Sequence, residues 1–119
     1  MIEKIIIDNF ATIEHLEVDF HSSLNVITGE SGAGKSVLIE AINMALGGRA
    51  DISMVRTECE KALIQILARN NKDEEVIISR ELLASGKSTS KLNGRLITLN
   101  ELKNYCYNLV DVHGQYDNQ

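Results

Sequence analysis

The chain of 119 residues contains no proline and only two cysteines, and it is short of positive charge, with a formal net charge of −5. No apolar run approaches the roughly 20 residues that a bilayer-spanning helix needs, and the N-terminus lacks the pattern of a signal peptide. A membrane partner is therefore not expected. The negative balance argues against a nucleic-acid-binding surface spread over the whole domain. Cys59 and Cys106 share no metal-ligand or redox spacing with each other or with His15, His21 and His113. They read as two buried thiols of a protein in a reducing cytosol. The absence of proline carries no functional message. No internal repeat, linker or low-complexity segment is visible. What remains, 44% hydrophobic and 24% charged residues, is the composition of one ordinary globular domain with a modest core.

One stretch organises the rest. Gly29-Glu30-Ser31-Gly32-Ala33-Gly34-Lys35-Ser36 fits G-x-x-x-x-G-K-[ST], the phosphate-binding loop of nucleoside triphosphatases. Ahead of it, Leu24 to Thr28 reads as a short buried strand; behind it, Ser36 to Leu46 reads as a helix apolar on most of its circumference. Glycines let such a loop curl so that successive N–H groups face a phosphate, and the helix adds unpaired donors and the positive end of its dipole. Lys35 is expected to reach the β- and γ-phosphates, and the Ser36 hydroxyl to join a Mg²⁺ shell. Glu30 and Ser31 fill variable positions and contribute backbone. The competing reading is an ordinary glycine-rich turn before a core helix.

The remaining pattern is mostly β. Ile5 to Asp8 and Ile13 to Phe20 form an opening hairpin, and Gly47-Gly48 stops the helix. Arg49 to Arg56 reads as a loop. Lys61 to Ala68, Glu75 to Leu83, Lys87 to Leu92 and Arg95 to Ile97 read as strands, the last two joined by Asn93-Gly94, a strong hairpin signal. Thr98 and Glu101 form a capping box for a second helix, with Ile97 and Leu102 placed for the hydrophobic staple. Leu99, Leu102, Cys106 and Leu109 give that helix an apolar face, and Leu109 to Val112 reads as a final strand. Charge is uneven: residues 1–30 hold six acids against Lys4 alone, whereas 79–95 hold Arg80, Lys87, Lys91 and Arg95 against Glu81. The second stretch fits either a solvated hairpin or a phosphate contact with DNA.

A working triphosphatase also needs an apolar strand ending in a catalytic acid. Ile5-Ile6-Ile7-Asp8 and Leu109-Val110-Asp111 imitate one without matching it, and Asn71-Lys72-Asp73-Glu74 fails the guanine-specific N-K-x-D at its last residue. A nucleotide cradle without its catalytic acid is either a binding module or the front portion of something longer.

Several segments together resemble the N-terminal head segment of the RecN family, bacterial DNA-repair ATPases related to structural-maintenance-of-chromosomes (SMC) proteins. They are Asp8-Asn9-Phe10-Ala11-Thr12-Ile13-Glu14, the stretch Leu24 to Ser36, Leu46 to Ala50, Leu92-Asn93-Gly94-Arg95 and Val110-Asp111-Val112-His113-Gly114-Gln115. Ser31 stands where the family commonly has Thr, and Tyr116 where it has His. The resemblance implies an α/β P-loop NTPase fold: residues 1–119 as the N-terminal lobe of an ABC/SMC-type ATPase head, with an antiparallel β meander, ending before a coiled coil. A C-terminal lobe of the same head would bring the signature motif and the missing acid, so the chain alone is not expected to hydrolyse ATP.

By position, the resemblance makes Gln115 the loop glutamine that touches Mg²⁺ and the attacking water. It places Asn9, Phe10 and Thr12 near adenine and Arg56 facing nucleotide or DNA. The alternatives are a polar side chain in solvent for Gln115, a solvated charge for Arg56 and plain core for Phe10; Arg49 could instead pair with Asp51. ATP and Mg²⁺ are the implied cofactors. The implied partners are the C-terminal lobe, a second head in a homodimer, and DNA through the full-length protein. The implied setting is cytoplasmic, at the nucleoid, in repair and recombination at double-strand breaks. Two other readings stay open: a self-contained small P-loop phosphotransferase, which would need Asp8 or Asp111, and a non-catalytic nucleotide-binding interaction module.

Overall fold

The computed structural model describes residues 2–20 and 32–110, with the backbone alone at 32–35 and 108–110. Two long strands open the chain, β1 (Ile2–Phe10) and β2 (Ile13–Asp19). Helix α1 (Gly32–Ala45) follows, then β3 (Lys61–Arg69), β4 (Glu75–Leu83), β5 (Ser88–Leu92), β6 (Arg95–Ile97) and helix α2 (Leu99–Val110). The described strands make one sheet in the order β2-β1-β3-β4-β5-β6. Every pairing in it is antiparallel. The expected meander is therefore β3 to β6. The chain returns from α1 to place β3 beside β1.

Strict alternation makes the sheet two-faced. Ile5, Ile7, Val18, Ala62, Ile64, Ile66, Val76, Ile78 and Leu82 are all buried. The registers Ile5↔Val18, Ile7↔Ile64 and Ile66↔Ile78 put them on one face. Burial of β-branched residues on a pleated surface is what drives these strands together. Against that face lies α1, whose buried residues Leu38, Ala41, Ile42 and Ala45 recur at helical spacing. Leu102 and Cys106 of α2 complete the same core. The opposite face carries Lys4, Asp8, His15, Glu17, Gln65, Ser79, Glu81 and Lys91, and is polar or half-exposed.

The local signals read from the sequence appear as bonds. The Thr98 hydroxyl accepts from Glu101 N at 3.1 Å and the Glu101 carboxylate accepts from Thr98 N at 2.9 Å. Gly48 N donates to Asn43 O at 2.8 Å and Gly47 N to Met44 O at 3.1 Å, the paired bonds of a Schellman stop, with Gly47 at φ +110. Asn93 and Gly94 both take positive φ in the β5–β6 turn.

Three expectations need correction. Leu109 and Val110 are helical, because the period set by Leu102 and Cys106 continues α2 through Val110 instead of yielding to a strand. Leu99, expected on the apolar face, is 40% exposed, because at the first position of α2 it has no preceding helical turn beside it. Cys106 is buried but Cys59 only half so, because it lies in the short connection before β3. The loop from Arg49 to Arg56 contains a single 3₁₀ turn, Ile52–Met54, capped by Asp51, whose carboxylate accepts from Ser53 N at 2.9 Å. The expected strand Leu24 to Thr28, Asp111 and Val112 lie outside the described residues.

Candidate nucleotide-binding site

The second half of the phosphate-loop motif forms the first turn of α1. Gly32, Ala33, Gly34 and Lys35 are already helical, and Ser36 follows with its side chain exposed. Two glycines in a first turn weaken the isolated helix by about 1 kcal/mol each relative to alanine. Here they leave the backbone N–H groups open to close approach. No acidic residue occupies that turn, so nothing in it offsets the positive end of the helix dipole. A helix start that is glycine-rich, free of carboxylates and followed by a hydroxyl suits a polyphosphate with its divalent cation. Gly29, Glu30 and Ser31 lie outside the described residues, as does Gln115.

A second group of predicted residues is brought together by a backbone bridge. Phe10 pairs with Val55 as an isolated antiparallel bridge. Around it, Ala11 N donates to Met54 O at 2.6 Å and Arg56 N to Asn9 O at 2.9 Å. Asn9 and Ala11 both take positive φ, of 54 and 53. The end of β1 is therefore kinked, and strict alternation ends with Phe10 turned into the core. Asn9 and half-buried Arg56 become neighbours although 47 positions separate them, and Thr12 is exposed. Phe10 is 0% exposed and belongs to the core. The kink at Asn9 is the physical reason that the ring packs inward, the core alternative for this residue.

The imitation catalytic acid is also placed. Asp8 projects from the face opposite α1, where its carboxylate accepts from His15 Nδ1. That bond, ahead of the one to Glu17, raises His15 above its ordinary value, and Glu17 in turn is held low mainly by Lys4. Asp8 is thus across the sheet from the phosphate-loop helix and engaged elsewhere, which counts against a self-contained phosphotransferase built on it. Burial pushes the Cys106 thiol up to about 12, far from nucleophilic.

Sequence reasoning missed Arg80. The charge pattern groups it with Lys87, Lys91 and Arg95, yet it is 1% exposed. Its Nη1 donates to Met44 O at 2.7 Å and Gly48 O at 3.1 Å, and its Nη2 to Ser88 Oγ at 3.0 Å. Alternation held the signal: position 80 shares a face with buried Val76, Ile78 and Leu82. The exposed cations of that stretch are Lys87, Lys91 and Arg95, while Glu81 pairs with Lys61 at 3.1 Å. Arg49 is exposed and holds the Asp51 carboxyl slightly down, after the larger effect of the Ser53 hydrogen bonds.

With this geometry in view, similarity to known families is decisive. The AAA domain family matches residues 4–118. The chain belongs to the AAA domain family. Within it, the whole chain is similar to the DNA repair protein RecN of Bacillus subtilis, at 38% identity, and covers 23% of that protein. RecN of Vibrio cholerae is 34% identical over the whole chain, which covers 24% of it. The chain thus spans about a quarter of the length of these relatives, and the resemblance read from its motifs holds from end to end.

The fold of this AAA domain is shared with solved ATPase heads. A structure from work on ATP-driven dimerisation and DNA-stimulated activation of SMC ATPases superposes with a TM-score of 0.75 at 26% identity, over 87% of this chain and 75% of that one. The recombination mediator RecF, solved with a bound ATP analogue, gives 0.71 at 21% identity over 86% of this chain and 29% of that one. The α/β P-loop head with an antiparallel sheet is therefore the fold of this chain.

Proposed function

We propose that this chain is the ATP-binding N-terminal lobe of a split ATPase head, residues 1–119, in an SMC-like DNA-repair protein that acts at double-strand breaks. Residues Gly29 to Ser36 cradle the triphosphate, with Lys35 on its terminal phosphates and Ser36 on Mg²⁺. Asn9 and Arg56, side by side at the end of β1, flank the nucleotide. Gln115 approaches the metal and the attacking water. The C-terminal lobe of the same head supplies the catalytic acid, and a second head closes over the nucleotide, so that ATP acts as an interfacial ligand. In the intact protein, DNA contact through the exposed cations Lys87, Lys91 and Arg95 fits the opposite charge of the two sheet edges.

The observation that carries this reading is the helical first turn Gly32–Ser36, glycine-rich and free of carboxylates, completing a full phosphate-loop motif in a chain similar throughout to RecN. The position of Asp8, bonded to His15 on the far face, favours it over a phosphotransferase complete in itself. Phosphate release tests the reading. The chain alone should turn over no ATP, and adding the remainder of the parent protein should restore hydrolysis that Lys35→Ala abolishes. Turnover by the chain alone, lost in Asp111→Asn, would establish the self-contained enzyme instead.

A further inference from the structure

A cation at position 80 departs from the pattern around it. The inner face of β4 reads Val76, Ile78, Arg80, Leu82, and an apolar residue at 80 would continue the core. Burying a guanidinium is costly, and its Nε makes no hydrogen bond among the described residues. The compensation lies at the end of α1. The last carbonyls of a helix have no intrahelical donor, and that end carries the negative pole of the dipole. No basic residue occupies the last turn of α1 itself. Arg80 supplies the charge from a central strand: one nitrogen adds a second, charged donor to Met44 O, which Gly47 N already reaches, and takes Gly48 O just past the helix, while Ser88 Oγ holds the other.

We propose that Arg80 is the positioning residue of the phosphate-loop helix, pinning its C-terminal end to the sheet so that the first turn, Gly32 to Ser36, presents its N–H groups in register. The inference rests on the reading of Gly29 to Ser36 as a phosphate cradle. Apolar packing through Leu38, Ala41, Ile42 and Ala45 holds α1 on the sheet but is non-directional. Directional bonds are needed to fix its slide and tilt. At about 1.5 Å per residue α1 is about 21 Å long, so a tilt of about 5° about its C-terminal end moves the first turn about 2 Å. Hydrogen bonds to phosphate tolerate only a few tenths of an ångström, so such a shift would lose them.

The anchor differs from ordinary core packing in what its loss should do. Replacing a buried charge with an apolar residue of similar length often leaves global stability intact. In the nucleotide-free chain, Arg80→Met should therefore speed amide exchange within residues 37–48 by about tenfold or more, while β1 and β3 amides stay within about twofold of wild type. Arg80→Lys, which keeps the charge and one donor, should fall between them and serves alone if Arg80→Met does not fold. Ser88→Ala, which spares both carbonyl bonds, should leave α1 unchanged. Titration with ATP·Mg²⁺ should then show about tenfold weaker binding for Arg80→Lys than for wild type. Equal acceleration across helix and sheet, or none, would overturn the anchoring role. No ATP binding by wild type would count against the phosphate cradle, while the exchange measured without nucleotide would still decide whether Arg80 pins the helix.

Discussion

Gly47→Ala tests how tightly the end of the phosphate-loop helix is built. Gly47 has φ +110, and a Cβ there would lie 2.7 Å from Lys103 Cγ and 3.3 Å from Lys103 Cα. Two costs add. An L-residue in that backbone region carries about 1–3 kcal/mol of strain, and forced overpacking typically costs about another 1–3 kcal/mol. Lys103 Cγ belongs to a flexible side chain and can swing aside, but its Cα is part of α2 and cannot, which holds the crowding cost at about 1 kcal/mol and the sum at about 2–4 kcal/mol. Gly86 provides the control. Its φ is +108, yet an added Cβ would meet only Ile52 Cγ2, at 3.9 Å. Gly86→Ala should therefore show the backbone cost without the crowding. Urea unfolding of both variants reads the difference as midpoints at unchanged slope. Gly47→Ala losing no more than Gly86→Ala would refute the close approach of α2 to the helix stop.

Three further outcomes follow from particular side chains. Phe10→Ala should cost about 3–5 kcal/mol in urea unfolding, as expected for a large buried ring, whereas a ring facing adenine would instead weaken ATP binding with little loss of stability. Thr98→Ala removes the hydroxyl that accepts from Glu101 N, and should cost about 1 kcal/mol, read in the same assay. His15 is raised above its ordinary value by Asp8 first and then Glu17. A raised folded value means its contribution is fully present below the unfolded value near 6.5 and is lost as pH rises through the folded one. The stability gap between wild type and His15→Gln should accordingly shrink from pH 5.5 to pH 8.5 in paired urea titrations, and a gap that widens would reverse the assignment.

Much of this architecture was legible because local signals and burial agreed. Alternation in Lys61 to Leu83, the Asn93-Gly94 turn, the Gly47-Gly48 stop and the Thr98–Glu101 box each specify a geometry within a few residues, and each appears as specified. Three features depended on contacts that spacing does not encode. Alternation puts Arg80 on the inner face, but its partners, at the end of α1 more than thirty positions earlier, are not encoded by spacing. Phe10 turns inward because Asn9 accepts a left-handed conformation, which alternation cannot anticipate. The bridge that sets Arg56 beside Asn9 joins a loop to a strand end, where neither stretch carries a pairing signal. For Leu109 and Val110, an apolar pair was compatible with both periods, and the helix already begun at Leu99 decided between them.

The central claim is that backbone amides at the start of α1 hold a polyphosphate. Titrating isotopically labelled chain with ATP·Mg²⁺ and following each backbone amide resonance tests it most directly. The account predicts saturable shifts largest at Gly32 to Ser36, absent in Lys35→Ala with the fold intact. Shifts confined to another surface, or none in a folded wild-type chain, would contradict it.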